Sequence, residues 1–455
     1  MRFIKFFLLM LSILLFFWLA YWATDNFIEP KVYNYMVKTF TATKSGSDNI
    51  VLIVIDDKSI GRHRWPWKRN LYCPIFNYFK EYTNAKVVVF DSILTSYDNP
   101  DTDNQYFNTV KNIDNLIVGT NFYMRDYENK SQGELYEKKF EEKFSGRIND
   151  LRVHANDNYL NSMVIFPSRY FDVVKHVGSI KAATSDDGYM RVAVMAVNYK
   201  GHIYPSISLK TYSYLNNNEW MTLTDREILS NNTKVHIPLN RENTGIYSLI
   251  RFYKPIKNNS GYTHKTYSAI DIIDSYKEIK AGKKPVINPK EFENKIIFIG
   301  ANVKATATGL SDVKRTPVAT DHSGLDVQAT VLDNILNKYF MYELYDIQNI
   351  VTSLLLIAAT FFIIRSFSLF ISLFSISLIV IVYLIFAAFL YSKGYAVNTI
   401  TPIAMSVITM IFAYSHRYII EDRNKEKIKS AMGKYISEDI MKNVVKNIDE
   451  LKLGG

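Results

Sequence analysis

Cysteine is almost absent from this chain, since Cys73 is the only one among its 455 residues. An internal disulfide is therefore excluded, and any part of the chain in an oxidising compartment must be held together by packing. The histidines at positions 63, 176, 264 and 322 lack the spacing of metal ligands, so we interpret them as ordinary residues. We predict no metal site and no cofactor in this chain.

Catalytic signatures are also missing from the sequence. It has no phosphate-binding Walker motif and no protein-kinase or histidine-kinase motif. Acidic residues are fewer than basic ones, 44 against 54, which gives a formal net charge of +10. The basic residues are scattered among the acidic ones and form no nucleic-acid-binding motif, which argues against a nucleic-acid partner.

Long apolar runs are abundant instead. Four of them are long enough for a transmembrane helix of about 20 residues. They extend from Phe6 to Ala23, from Ile347 to Ile364, from Phe367 to Tyr391 and from Tyr395 to Tyr414. The first run is longer than the apolar core of a signal peptide and ends in aromatic residues, which favours an uncleaved anchor. Ionisable residues are nearly absent from the four runs, which disfavours a transporter or channel.

Basic residues beside these runs predict the orientation in the membrane. Those expected on the cytoplasmic side are Arg2, Lys5, Arg365, His416 and Arg417, whereas Lys393 lies near an outer end. The long segment between the first two runs is then extracytoplasmic, and the C-terminus is cytoplasmic.

The long segment predicts an α/β domain with a mixed, largely parallel sheet. Residues 50–55, 86–90 and 295–299 are rich in β-branched residues, as buried parallel strands are, and residues 71–82 have a helical pattern. Asp186-Asp187-Gly188 predicts the turn of a β-hairpin within residues 176–196. Helices are expected after Pro205-Ser206 and over residues 267–275, the second with Ser268 as its cap.

Candidate ligand-binding residues follow the three predicted strands. Asp56 and Asp57 come after the first strand, Asp91 after the second and Gly300 within the turn after the third. The carboxyl ends of parallel strands share one edge, where ligands of open α/β folds bind. Asp56 and Asp91 could hold a cation or a basic ligand there, or they could anchor loops and cap helices. We expect Asp57 to be the cap of the helix that follows.

A second candidate lies between the first strand and the helix. Trp65, Trp67 and Arg69 place aromatic rings beside cations, an arrangement that suits an anionic or ring-bearing ligand. The alternative is a loop fixed by Pro66, whose tryptophans close the hydrophobic core.

Several segments together resemble the CHASE2 extracellular sensory domain. They are IVLIVIDDKSIGRHRWPWKRNLYCPIFNYFKEYTNAKVVVFDSIL (50–94), HVGSIKAATSDDGYMR (176–191), the SAIDIID helix, FENKIIFIGANVKATATGLSDVKRTPV and HSGLDVQATVLDNIL (322–336). Three membrane spans after the domain are also the usual arrangement of that family. The resemblance implies a multi-pass sensor in the bacterial inner membrane, with an extracytoplasmic ligand whose identity the family does not settle.

The segment after the last apolar run resembles the linker in front of class III adenylate/guanylate cyclase domains. It reads HRYIIEDRNKEKIKSAMGKYISEDIMKNVVKN and contains the expected signal-linker residues Gly433 and Tyr435. The metal-binding aspartates of a cyclase domain do not follow in this sequence, so Mg²⁺ would belong to that missing domain and enzymatic activity stays open. The resemblance also implies a homodimer and a separate cyclase output domain as partners.

These expectations divide the chain into four regions. Residues 1–26 form the anchor, 27–345 the CHASE2 sensor domain, 346–415 three transmembrane helices and 416–455 the cytoplasmic linker. The predicted function is the sensor half of an adenylate or guanylate cyclase, which would regulate cyclic nucleotide synthesis from the lipid bilayer. Two alternatives are a truncated, non-functional remnant and a sensor that acts on a separate output protein.

Overall fold

The computed structural model describes residues 2–94, 97–123, 140, 143–144, 148–150, 162–163, 173–199, 202–242, 245–256, 261–302, 313–344 and 346–432. The chain divides into two compact units. A helical unit comprises Met1–Val32, Leu344–Ala388 and Val397–Gly455, and an α/β unit comprises Tyr33–Glu343 and Phe389–Ala396. The limits predicted from sequence for the four regions stay a prediction.

The described helices are numbered in chain order. They are α1 (Arg2–Ala23), α2 (Glu29–Met36), α3 (Asp57–Arg62), α4 (Cys73–Tyr82), α5 (Pro100–Val110), α6 (Ile207–Leu215), α7 (Ala269–Lys280), α8 (Gly324–Leu336), α9 (Asp346–Ser366), α10 (Leu369–Lys393) and α11 (Thr401–Met432). Short π-helical turns at Thr24–Ile28 and Val37–Thr41 flank α2, and 3-10 turns occur at Arg69–Tyr72 and Pro289–Phe292.

The described strands are short. They are β1 (Ile50–Ile55), β2 (Val87–Asp91), β3 (Leu116–Thr120), β4 (Phe122–Tyr123), β5 (Ile148–Asp150), β6 (Ser162–Met163), β7 (His176–Ser179), β8 (Val192–Tyr199), β9 (His202–Pro205), β10 (Met221–Leu223), β11 (Glu227–Ser230), β12 (His236–Pro238), β13 (Asn240–Glu242), β14 (Gly245–Leu249), β15 (Lys265–Ser268), β16 (Ile296–Ala301), β17 (Val313–Lys314), β18 (His322–Ser323), β19 (Tyr342–Glu343) and β20 (Tyr395–Ala396).

A six-stranded sheet forms the centre of the α/β unit. Its order is β15-β1-β16-β2-β3-β7, and every pairing in it is parallel. All six residues of β1 are buried, as expected for a strand that is covered on both faces. The predicted α/β class and parallel sheet are therefore confirmed, as are the three strands predicted from β-branched residues.

Aromatic side chains fill the core between this sheet and α4. Tyr72 and Phe76 each pack edge-on against Phe90 of β2, with ring centroids 5.2 and 5.3 Å apart. All three rings are almost completely buried. Burial of each such side chain stabilises the fold by about 2–3 kcal/mol relative to exposure, so the core fixes α4 on the sheet.

The predicted hairpin over residues 176–196 is present as one antiparallel bridge, between Ala182 and Ala193, but its two flanking strands do not pair with each other. Its first strand, β7, joins the edge of the parallel sheet. Its second strand, β8, lies in a separate antiparallel sheet of order β13-β14-β8-β9. The turn itself is present, with Gly188 at φ +78° and with the Gly188 N–H donating to the Ser185 carbonyl over 2.8 Å. The segment between the two strands is long enough for the chain to change sheets, and β7 pairs with the buried strand β3 instead of with β8.

Among the described residues, four helical segments are long and apolar enough to cross a membrane. The candidate spans are Leu11–Thr41, Ile347–Ser366, Leu369–Lys393 and Thr401–Lys427. Large apolar side chains on them face outward, with Phe370 83% and Phe374 71% exposed, which suits a lipid environment. The last span begins at Thr401, not at Tyr395 as predicted, because Tyr395 and Ala396 form β20.

Candidate functional site

The structure brings three of the sequence-predicted residues to one edge of the parallel sheet. Gly300 in β16 pairs with Val54 of β1 on one side and with Asp91 of β2 on the other. Asp56 follows β1 at the same edge. A Cβ atom at Gly300 would lie 2.9 Å from Leu325 Cδ1 and 3.1 Å from the Asp91 carbonyl oxygen, so only glycine fits there without displacement. A ligand-binding role for these residues stays a prediction.

Asp56 has a structural task at this edge. Its Oδ1 accepts hydrogen bonds from the Ser59 N–H at 3.0 Å and from the Ser59 and Ser268 hydroxyls at 2.7 Å each. Asp56 is thus the N-cap of α3, and it also ties α3 to the start of α7. The expectation that Asp57 is the cap is wrong: Asp57 is the first residue of α3 and is exposed.

Trp67 and Arg69 face inward, while Trp65 is half-buried against the core. Trp67 is 5% exposed and its Nε1–H donates to the His63 carbonyl over 2.9 Å. Arg69 is also buried, with Nε 3.3 Å from Asp103 Oδ1. The segment therefore closes the core, as in the second of the two interpretations. Its use by a ligand stays a prediction.

A buried ionic cluster that sequence reasoning missed lies elsewhere in the α/β unit. Its members are His264, His322, Asp326 and Asp333, all about 1% exposed or less. His264 immediately precedes β15, His322 lies in β18, and the two aspartates lie in α8. Asp326, Thr330 and Asp333 recur at four- and three-residue spacing, which places all three side chains on one face of α8. We call this set the His264 cluster.

Both ring nitrogens of His264 contact a carboxylate. Nδ1 lies 2.7 Å from Asp326 Oδ1, and Nε2 lies 3.3 Å from Asp333 Oδ2. An ionised carboxylate can only accept hydrogen bonds, so both nitrogens must carry a proton and the ring is a cation. Burial alone would lower the pKa of His264, but the charge of Asp326 and the hydrogen bonds to both carboxylates raise that pKa to about 9.

Asp326 is the centre of the His264 cluster. Besides His264, its carboxylate accepts from His322 Nε2–H at 2.7 Å and from the N–H and hydroxyl of Thr263 at 2.7 and 2.9 Å. Burial would raise the pKa of Asp326, but the His264 charge and the hydrogen bonds from both histidines hold it well below its usual range. A buried ion pair that is this fully hydrogen-bonded fixes the positions of the three segments that supply it.

Asn334, the neighbour of Asp333 on α8, binds Arg251, and Arg251 in turn contacts the end of α10. Its side-chain amide makes two 3.0 Å hydrogen bonds with the backbone of Arg251, accepting from N–H and donating to the carbonyl. The Arg251 guanidinium stacks on Tyr339, with Cζ 3.7 Å from the ring centroid, and donates to the Ser392 carbonyl over 2.8 Å. Arg251 therefore caps the C-terminal end of α10.

A second helix end is capped within the helical unit. The carboxylate of Glu29, which is 7% exposed, accepts from the N–H groups of Ile400 and Thr401 at 2.9 Å each. It also accepts from the Thr399 N–H. The Thr399 and Ile400 amides directly precede α11 and the Thr401 amide belongs to its first residue. The carboxylate of α2 satisfies these N–H groups and suits the positive end of the helix dipole.

Helix α11 continues from the last candidate span without a break to Met432. The expectation that no hinge interrupts the chain between Tyr414 and Met432 is confirmed. The signal-linker residues Gly433 and Tyr435 lie outside the described residues. Within the described part of the chain, no group of three or more His, Cys, Asp or Glu side chains is arranged to hold a metal ion.

Comparison with known proteins gives one result. The model of the CHASE2 domain matches residues 8–365, which is most of the chain. The chain matches no curated protein and no solved structure.

Proposed function

Because this chain belongs to the CHASE2 family, we propose that it is a membrane-bound sensor whose α/β unit binds a ligand and whose last helix carries the response to a signalling output. The observation that carries this proposal is the continuity of α11 over 32 residues. At 1.5 Å per residue the helix is about 48 Å long, whereas the hydrocarbon core of a bilayer is about 30 Å thick. The helix is therefore longer than one membrane span, and its end would extend into the solvent.

The proposed orientation has the α/β unit outside the bacterial inner membrane and the end of α11 in the cytoplasm. Arg365, His416 and Arg417 support it, because basic residues flank membrane spans mainly on the cytoplasmic side. Arg417 also donates to the Ile364 and Phe367 carbonyls over 3.0 and 2.7 Å, so it caps the end of α9. Lys393, the last residue of α10, would lie on the extracytoplasmic side.

The chain passes from one unit into the other within α2 and within α10. Each of these helices takes part in a helix-capping contact. Helix α2 contains Glu29, which caps the start of α11, and α10 ends at the carbonyls that Arg251 caps. A change of packing near the His264 cluster would move α8 and, through Asn334 and Arg251, the end of α10. We propose that such displacements are the signal, and that α11 delivers it.

We propose a class III adenylate or guanylate cyclase domain as the output. The resemblance of residues 416–447 to the linkers of those enzymes supports it. A cyclase of this class needs two catalytic halves, so the sensor would act as a homodimer, and Mg²⁺ would bind in the output domain. The sensor would then regulate cyclic nucleotide synthesis by changing how the two halves meet.

Cysteine cross-linking along α11 tests the transmission. In a Cys73→Ser background, a single cysteine replaces the exposed Asn424, and the rate of disulfide formation between copies is measured in native membranes. We expect Glu29→Gln or Arg251→Met to change the rate at least about fivefold, the scale of an ordinary coupling free energy. Lys283→Met is the control, because that lysine is 70% exposed and follows α7, which contains neither capping residue.

Two results would contradict the proposal. One is a cross-linking rate that is the same in Glu29→Gln, Arg251→Met and Lys283→Met. The other concerns orientation: a membrane-impermeant maleimide should label a cysteine at Asp57 but not one at Asn424 in intact cells, and the reverse pattern would exclude the proposed topology.

A further inference from the structure

A cavity of about 170 Å³ in the α/β unit is lined by cationic side chains. It lies beside His176, the first residue of β7, and is walled by α6 and by the ends of β5, β9 and β10. His176 pairs with Ile117 near the start of β3, so the cavity is at the amino-terminal edge of the parallel sheet. Asp56, Asp91 and Gly300 lie at the opposite edge. The cavity is thus separate from the site predicted at the strand ends.

The charged side chains among the described lining residues are basic. Lys143, Lys175 and Lys210 come from three different segments and contribute to its lining, together with His176. None of the described residues that line the cavity is acidic. Three like charges that converge on one concavity repel each other and focus a positive potential into it. That arrangement attracts an anion.

The floor of the cavity is built from ordered elements. Met221 of β10 is 1% exposed, Ser213 of α6 is 2% exposed, and Val177 of β7 is 7% exposed. Lys210 lies one turn before Ser213 on the same helix, is half-buried and contributes to the cavity lining. The floor and the backbone that carries this cation therefore belong to regular secondary structure.

Lys175 has a partner that a ligand can replace. Its Nζ lies 2.5 Å from Asp114 Oδ1, but the two side chains are 56% and 81% exposed. Ion pairs this open to solvent contribute little to stability, so Lys175 can turn to an anion in the cavity at little cost. Lysine ammonium groups act as point charges, without the fixed fork of arginine, so they accept anions of more than one shape.

We propose that this cavity binds a small anion that carries carboxylate or phosphate groups. Its volume agrees with that class, because a cavity of about 150 Å³ holds a molecule the size of benzene. The Ser213 hydroxyl donates to the Glu219 carbonyl over 3.0 Å, so the buried floor offers mainly apolar surface. Such a floor suits a short carbon chain between or beside the charged groups. That this anion is the ligand to which the sensor responds rests on the function proposed above, whereas its binding does not.

Titration of the full chain in detergent tests the binding. The probes are inorganic phosphate and succinate, and chloride at matched ionic strength is the reference. We expect phosphate or succinate to raise the Tm with saturation, as a ligand of the native state does. Lys210→Gln should weaken the apparent affinity at least about tenfold, and Lys210→Arg should restore it in part. The ratio of the phosphate and succinate affinities tells which anion class the site favours.

The control variant is Lys283→Gln, which removes a charge of the same sign from a 70% exposed position. If Lys210→Gln does not fold, Lys175→Gln serves in its place, since that side chain is largely in solvent. The proposal is overturned if chloride raises the Tm as much as the two probes do, if no probe gives a saturable shift, or if Lys210→Gln and Lys283→Gln bind alike.

Cross-linking at position 424 separates this result from the function proposed above. Saturable binding without any effect of succinate or phosphate on cross-linking would leave the anion site standing and remove it as the signalling input. Absence of binding, with cross-linking still sensitive to Glu29→Gln, would remove the anion site and leave the proposed transmission intact.

Discussion

His264 Nδ1 lies 2.7 Å from Asp326 Oδ1, and neither side chain has any exposed surface. The histidine is separated from the aspartate by 62 residues, so the pair joins the start of β15 to α8. A buried cation and a buried anion in direct contact stabilise the fold only while both are charged. The protonation state of His264 is therefore coupled to the stability of the α/β unit.

The free energy of unfolding should fall as the pH rises and His264 loses its proton. The pKa of His264 is about 9 in the folded chain, against an ordinary value of 6.5. A raised pKa stabilises the fold fully below pH 6.5, and that contribution is lost as the pH rises towards 9. This difference between the two pKa values corresponds to on the order of 3 kcal/mol of unfolding free energy. Tm measured from pH 6 to 9.5 should show the decline.

His264→Gln identifies the group responsible. The variant should have a lower Tm than wild type at pH 6, and the difference should shrink as the pH approaches 9.5. His236→Gln is the control, because that histidine is 60% exposed and pairs only with Glu227 at the surface. A Tm difference between wild type and His264→Gln that stays constant with pH would show that His264 is not a cation in the fold.

Asp326→Asn should be the most harmful single change in the His264 cluster. It removes the carboxylate that faces both histidines and leaves the His264 cation with Asp333 alone. Breaking one partner of a buried ion pair costs about 3–5 kcal/mol. The free energy of unfolding from denaturant titration checks this, with Asp274→Asn at the half-buried partner of Arg62 as the comparison. Equal values for the two variants would contradict the assigned role.

Gly46 should not tolerate alanine. A Cβ atom there would lie 2.5 Å from His264 Nε2, closer than any real contact, and the adjacent Ser47 N–H donates to Asp333 over 2.9 Å. Gly46→Ala must therefore displace the ring or the loop, and we expect a loss of about 2 kcal/mol, the scale of overpacking in a core. Gly61→Ala is the matched control.

Gly61→Ala should not lower the stability of the fold, because the space around Gly61 is open. Gly61 lies in α3, and no neighbouring atom comes within 4 Å of the position that a Cβ atom would take there. Alanine at this position should be neutral or stabilise by up to about 1 kcal/mol, because it is the better helix former. Tm values for both variants decide the matter, and an unchanged Tm for Gly46→Ala would mean that the His264 ring has room to move.

Glu29→Ala should loosen the start of α11. The three amides of Thr399, Ile400 and Thr401 would lose their acceptor, and hydrogen exchange at those positions should accelerate. Because three donors and one helix terminus are involved, we expect a loss of about 2–3 kcal/mol. Glu421→Ala, which removes a 55% exposed carboxylate from the same helix, is the control. Unchanged exchange in Glu29→Ala would contradict the capping role.

The success of the strand predictions has a local cause. Residues 50–55, 86–90 and 295–299 are continuous β-branched runs, and such runs can be buried on both faces only in the middle of a parallel sheet. The apolar runs that became α9, α10 and α11 are similarly local, because about 20 apolar residues favour a helix in lipid whatever the rest of the chain does. The strand pairing within residues 176–196 could not be predicted in the same way, because the choice between two sheets depends on distant strands.

The His264 cluster escaped prediction because its parts are far apart in sequence. His264 and His322 lack the sequence spacing of metal ligands, and no other local pattern marks them. A usable signal was present in α8, where Asp326, Thr330 and Asp333 recur on one face of a helix that is rich in apolar residues. A polar stripe on a buried helix requires partners, since an unpaired buried carboxylate costs several kcal/mol. Glu29 is likewise a carboxylate within a long helical segment and requires a partner, which the N–H groups at the start of another helix provide.

Apolar runs and their periodicity thus determine the long apolar helices and the buried strands, because the free energy of burying a side chain depends mainly on that side chain and its neighbours. Tertiary structure alone decides that Asp56 caps α3, that Arg251 and Glu29 cap α10 and α11, and that three lysines converge on one cavity. These relationships join segments that are tens to hundreds of residues apart. Electrostatic and hydrogen-bond energies depend on distances of a few ångströms, and only the folded chain sets those distances.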